Sequence, residues 1–178
     1  MHLNPPLLLP LLVLLLLSPP TTAGIDYATT LSNINTLHRN VVSARDTITR
    51  YNGNIIGAIP TTRALYSIHT GLRETRDHFS GLSSPLNADQ VDELYDMMTN
   101  DIAPNVMDIS DAMVRQAPTL NNNGMSFAAF SFIQALRQDT ASLREALRGR
   151  VSDDNVTALN TAFAGVDTAF DAMNAAYS

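Results

Sequence analysis

Residues 161–178 read TAFAGVDTAFDAMNAAYS. Phe163, Val166, Phe170, Met173 and Tyr177 recur there at steps of three and four, the spacing of one face of an α-helix. Strict alternation, the mark of a half-buried strand, is missing. Ala162, Ala164, Gly165, Ala169, Ala172, Ala175 and Ala176 surround the large residues. The segment is therefore a helix with a narrow bulky stripe and thin flanks. Either a neighbouring helix or a guest molecule must fill the space beside the alanines.

Working backwards, the same period governs every long segment. Residues from about Asp26 to Tyr51 align Tyr27, Leu31, Ile34, Leu37, Val41, Ala44 and Ile48. NGN at 52–54 stops that helix, with Gly53 suited to a left-handed cap. A second helix is expected from Pro60, a residue tolerated in a first turn, with a stripe of Leu65, Ile68, Leu72, Thr75 and Phe79. A third opens at Asn87 with Gln90 three residues on, the pattern of a capping box. It carries Val91, Leu94, Tyr95, Met98 and Ile102, then Val106, Ile109 and Met113 beyond Pro104. A proline there removes a hydrogen bond and crowds the preceding turn, so a kink or split is expected at Pro104. APTLNNNG, 117–124, reads as a loop. A fourth helix from Met125 to Arg148 aligns Phe127, Phe130, Ile133, Leu136, Thr140, Leu143 and Leu147. The fifth starts after a Ser152 or Asp153 cap. The expectation is an all-α, antiparallel bundle of about five helices.

The first residues stand apart. LLLPLLVLLLLSPPTTAG, 7–24, has an apolar run after Pro10, then Ser-Pro-Pro and small residues. That is the layout of a secretory leader, with cleavage expected after Ala23. Its start is atypical, offering His2 but no Lys or Arg. The run is short for the roughly 20 apolar residues of a membrane span. Residues 1–23 are thus read as a leader and 24–178 as one domain, long enough to bury a real core. No cysteine occurs, so an exported domain must be held by packing without disulfides.

Eleven arginines, no lysine and seventeen acids give a net charge of −6. Without a basic block, that balance argues against nucleic acid and against anionic lipid surfaces. No further segment is long enough to span a bilayer, and the tail lacks the hydrophobic end of a lipid-anchor signal. Asn155-Val156-Thr157 is a glycosylation acceptor, placed where a loop should meet a helix.

Catalytic patterns are missing. His38, His69 and His78 lack the spacing of a zinc protease, and GLSSP at 81–85 lacks the second glycine of a nucleophile elbow. No phosphate loop, calcium loop, metal set or cofactor motif appears. Asp89, Asp92, Glu93 and Asp96 cluster at a helix start, where acids favour the positive end of the peptide dipoles. Arg137, Arg144 and Arg148 form a stripe best paired with Asp139 and Glu145. Two features point inward. Thr75 and Thr140 each put a hydroxyl on an apolar stripe, where it can bond a carbonyl one turn back or receive the oxygen of a guest. Met125, Phe127, Phe130, Phe132 and Ile133 are apolar nearly all the way round the helix, so that end is either enclosed or an exposed patch.

Several strings, in order, resemble the fungal hydrophobic surface-binding protein A family, which includes the antigenic cell-wall galactomannoproteins. They are DTITRYNGN (46–54), DIAPNVMDISDAMV (101–114), LRQDTASLREALRGRVSDD (136–154) and FAGVDTAFDAMNAAYS (163–178). The resemblance covers residues 26–178. It implies a helical bundle, secretion to the medium or cell wall, adsorption to hydrophobic surfaces and, in some members, fatty acids held between the helices. It also implies, in some members, recruitment of secreted lipolytic hydrolases. The Ser/Thr-rich stalk and lipid anchor of wall-bound relatives have no counterpart before Ser178, so covalent wall attachment is not expected.

The leading expectation is a non-enzymatic carrier of long-chain fatty acids or similar lipids. Leu65, Ile68, Leu72, Met98, Ile102, Phe130, Ile133, Leu136, Phe163, Val166 and Phe170 would line its cavity, with Thr75 and Thr140 as polar contacts. The alternatives are adsorption to hydrophobic surfaces through the Met125–Ile133 end, and a structural antigenic wall mannoprotein.

Overall fold

The computed structural model describes residues 24–52 and 55–178. The expected leader over 1–23 and the expected Gly53 cap lie outside the described residues. Helices α1 (Tyr27–Thr49), α2 (Ile55–Ser80), α3 (Ala88–Asp96), α4 (Ala103–Asn122), α5 (Ser126–Arg148) and α6 (Val156–Tyr177) make up nearly all of it. A π-helical turn, Met97–Ile102, joins α3 to α4, and a 3₁₀ turn, Asp153–Asn155, leads into α6. With α3 and α4 as one column, there are five columns. Around the bundle they run α1, α2, α5, α6, α4 and back to α1.

Local signals account for the starts. Asp26 caps α1 by accepting from Thr29 N–H at 2.7 Å, and that bond holds its carboxyl below the usual range. Asn87 and Gln90 form the expected capping box, with bonds of 2.9 and 3.0 Å.

Two boundaries differ from the sequence expectation, both at prolines. Pro60 lies inside α2, whose helix begins at Ile55. Pro118 lies inside α4, so most of the expected loop is helical. Ala117 and Leu120 are buried, and their burial outweighs the hydrogen bond Pro118 cannot make. Gly124, at φ 69°, then ends α4: its N–H reaches Asn121 O at 3.0 Å while Met125 N–H reaches Leu120 O at 2.8 Å. That is a Schellman closure, and it needs glycine at the left-handed position. The split expected at Pro104 is present, as the π-helical turn between α3 and α4. The interruption comes just before the proline, where Ala103 N–H bonds Met98 O, five residues back. The wider turn gives the proline ring room and leaves the helix column continuous.

The alanines of α6 have a neighbour. Ser110 on α4 donates to Ala169 O at 2.9 Å, which brings the two backbones close. A methyl built on Gly165 would lie 3.5 Å from Ala103 Cβ. Much of the thin flank of α6 is therefore filled by α4, not by open space. The bulky stripe alone faces the bundle axis.

Candidate functional site

That stripe forms one wall of an axial cavity of about 50 Å³. Of the thirteen expected lipid contacts, eleven line it: Leu65, Ile68 and Leu72 from α2, Met98 and Ile102 from the π turn, Ile133, Leu136 and Thr140 from α5, and Phe163, Val166 and Phe170 from α6. Leu37, Val41, Val106, Ile109, Met113, Leu143 and Met173 complete the lining. These seven sit on stripes already visible in the sequence; periodicity marked their faces without marking which members reach the axis. Thr140 is the sole polar residue of the lining.

Two expected contacts lie elsewhere. Thr75 lines a second cavity, of about 30 Å³, between Phe79, Leu94, Leu143 and Leu159. Its hydroxyl is 3.5 Å from Asn33 Oδ1, so it is turned toward α1 and not toward its own helix carbonyl. Phe130 is only partly buried and packs against the core from outside the cavity wall. Three residues before Ile133, it lies about 60° round α5 from it, too far to face the axis.

A third space opens at the end of the bundle where α2 and α5 begin. It is a groove of about 260 Å³ lined by Tyr51, Ala58, Thr61, Thr62, Leu65, Met113, Leu120, Met125, Ala128, Ala129 and Phe132. Leu65 and Met113 belong to both groove and axial cavity, so two movable side chains divide them. At this end Tyr177 donates to Met113 O at 2.7 Å, and burial, with Tyr51 nearby, pushes its phenol up to about 12. Burial also raises the Tyr51 phenol, whose buried hydroxyl has no hydrogen-bond partner among the described residues.

The polar side chains serve the walls. Arg144 reaches Asp167 at 2.5 Å and lies 4.8 Å over the ring of Phe163, sealing the cavity between α5 and α6. Arg137 reaches Asp171 at 2.7 Å. Both arginines thus pair across to α6 and not, as the stripe suggested, with Asp139 and Glu145. Asp139 is bonded to His69 on α2. In the acidic cluster of α3, Glu93 accepts from Tyr27 at 2.8 Å. Among the described residues, no group of acids or histidines could hold a metal ion. Asn155 lies in the 3₁₀ turn, half-exposed, its amide donating to Ser152 Oγ at 3.2 Å. No described helix is long and apolar enough to cross a membrane.

Against this geometry the comparisons fall into place. The profile described as "Hydrophobic surface binding protein A" matches residues 27–149, which takes in α1 to α5 and leaves out α6. Among solved structures, that of Afmp4p in complex with palmitic acid superposes with a TM-score of 0.78 at 18% identity, covering 85% of this chain and 99% of that one. Ligand binding domain 1 of the Penicillium marneffei MP1 protein, complexed with arachidonic acids, gives 0.75 at 15% identity over 83% and 95%. Domain 2 of the same protein, complexed with multiple arachidonic acids, gives 0.72 at 12% over 83% and 96%. At these identities the likeness is one of fold. Among curated protein sequences nothing matches the chain.

Proposed function

Since the chain belongs to the hydrophobic surface binding protein A family, we propose that it is a secreted, non-enzymatic carrier that takes a long-chain fatty acid or similar lipid between its helices. The observation that carries this reading is the axial cavity, walled by seventeen apolar side chains and one threonine and adjoining a surface groove at Leu65 and Met113. The bound palmitic and arachidonic acids of the structurally similar proteins support it.

Size decides the mechanism. A cavity of 50 Å³ is far below the roughly 300 Å³ at which small-molecule pockets begin. An acyl chain must therefore swing Leu65 and Met113 aside and part α2 and α5 from the rest. Burying about fourteen methylenes returns about 11 kcal/mol. Association, ordering and the opening of the bundle offset several of these, leaving an affinity of order micromolar. Met98, Met113 and Met173 in the lining are unbranched and can rearrange around the guest. Thr140 offers the wall's one hydroxyl to a carboxyl or ester oxygen.

Displacement of a fluorescent fatty acid by palmitic acid, together with native mass spectrometry of the secreted protein, tests the proposal. Saturable one-site exchange near micromolar concentration is expected. A protein that neither carries nor accepts lipid overturns it. Leader cleavage after Ala23 and glycan on Asn155 are read from the same spectra.

A further inference from the structure

The outer face of α2 presents a surface that the carrier role does not use. Ile56, Ile59, Arg63 and Tyr66 follow one another at steps of three, four and three, so they form one stripe. All four are exposed, Ile56 at 85%, Ile59 at 67% and Tyr66 at 61%. A helix in water has no reason to keep two isoleucines and a tyrosine in line on its wet side. Apolar residues interleaved with arginine, with tyrosine at the margin, are what a helix lying in a lipid interface requires.

Charge points to the kind of interface. The segments that build this end of the bundle, 47–73, 112–138 and 172–178, contain no Asp or Glu, although the chain has seventeen. Arg50, Arg63 and Arg115 are exposed there, and among the described residues none of the three makes an ion pair. The overall charge of −6 argued against anionic lipids. Over a screening length of about 8 Å, however, a docked face feels its own arginines and not the distant acids. Guanidinium groups match phosphate geometry in particular.

We infer that the Ile56–Tyr66 face of α2 docks on a phospholipid surface carrying anionic head groups. The isoleucines enter below the head groups, Tyr66 sits at their level, and Arg63 meets phosphate. The opposite flank of the same turns, Ala58, Thr61 and Thr62, lines the groove. Docking therefore sets the groove mouth beside the lipid without asking the bundle to unfold.

Sedimentation with phosphatidylcholine vesicles, with and without phosphatidylglycerol, tests this on the secreted protein. Wild type should sediment with the mixed vesicles and be released by salt. Ile56→Asn/Ile59→Asn should bind both kinds at least about tenfold more weakly, because the lost burial is apolar. Arg63→Gln should lose about fivefold on the anionic vesicles and nothing on the neutral ones. These side chains are exposed, so each variant should melt like wild type. Wild type that stays in the supernatant, or a double variant that sediments unchanged, overturns the inference. So does a stripe that merely joins two copies, seen as a dimer in light scattering that the double variant abolishes, without vesicle binding. Fatty-acid displacement in vesicle-free solution separates the two proposals: failure there refutes the carrier and leaves the docking face standing.

Discussion

The two ends of the bundle are built on opposite principles. Where α2 ends and α3 begins, the chain is laced by polar bonds. Ile25 N–H reaches Gly81 O at 3.1 Å, and Ser83 N–H reaches Ile25 O at 3.3 Å. Leu86 N–H reaches Arg150 O at 2.8 Å, while the Arg150 guanidinium donates to Leu82 O, also at 2.8 Å, and to Ser80 O. Behind this lacing lies the small second cavity, sealed by Phe79. At the other end Tyr177 and Gln116 tie α4 to α6 and to the end of α1. The first turns of α2 and α5, however, meet across a groove lined mostly by apolar and small side chains. One end is fastened and the other can part. A bundle that must admit an acyl chain without losing its register needs both.

The largest test of this contrast is a pair of truncations. Phe79 is 1% exposed at the fastened end, and Phe79→Ala should cost about 3–5 kcal/mol in urea unfolding. Leu65→Ala removes the partition at the open end and should cost less, about 2–3 kcal/mol, since the site adjoins a groove that can relax. The sharper readout is lipid exchange. Leu65→Ala should speed uptake and release of a fluorescent fatty acid, and Phe79→Ala should leave both rates as they were. Equal effects on exchange would mean that lipid does not enter by the groove.

Next in size is Arg150. Its side chain donates to carbonyls at the end of α2 and just beyond it, bonds to a charged donor being worth about 1.5–3 kcal/mol each when fully made. Arg150 is half-buried and glutamine keeps one bond, so Arg150→Gln should lower stability by about 2 kcal/mol. Amide exchange should rise over 80–86 and stay unchanged over 126–132. A rise at the groove end would show that the ends are coupled.

The contrast between the ends was only half legible in the sequence. Helix periods place every column, and Asn87 with Gln90 announces its cap without ambiguity. Phe163, Val166 and Phe170 point to the axis because a bulky stripe among alanines has only one way to turn. Prolines misled, since a proline's local cost is fixed while the burial that outweighs it is tertiary: Ala117 and Leu120 hold Pro118 inside a helix. Phe130 misled for a related reason, being in line with the stripe yet a fraction of a turn off the axis. The alanines of α6 invite the idea of a guest, but Ser110 and Ala103 occupy much of that flank. The groove, the shared Leu65 and Met113, and the acid-free end depend on segments far apart in sequence, which no single period records.

The smallest effect belongs to Tyr177. Its phenol is raised to about 12 by burial, against an ordinary value of 10.0. A group whose folded value is raised favours the fold in its protonated form. That stabilisation is complete below pH 10 and is lost as pH rises from 10 toward 12. Unfolding midpoints of wild type should therefore be flat through neutral pH and fall across this alkaline window. Tyr177→Phe gives up the bond to Met113 O, about 1 kcal/mol, so it starts lower at pH 7. It should also fall less steeply above pH 10, and the two curves should converge. Because Met113 is one of the two side chains dividing groove from cavity, freeing its carbonyl should also quicken lipid exchange slightly at neutral pH. A variant that matches wild type in both slope and exchange would show that the α4–α6 tie at this end does not restrain the mouth.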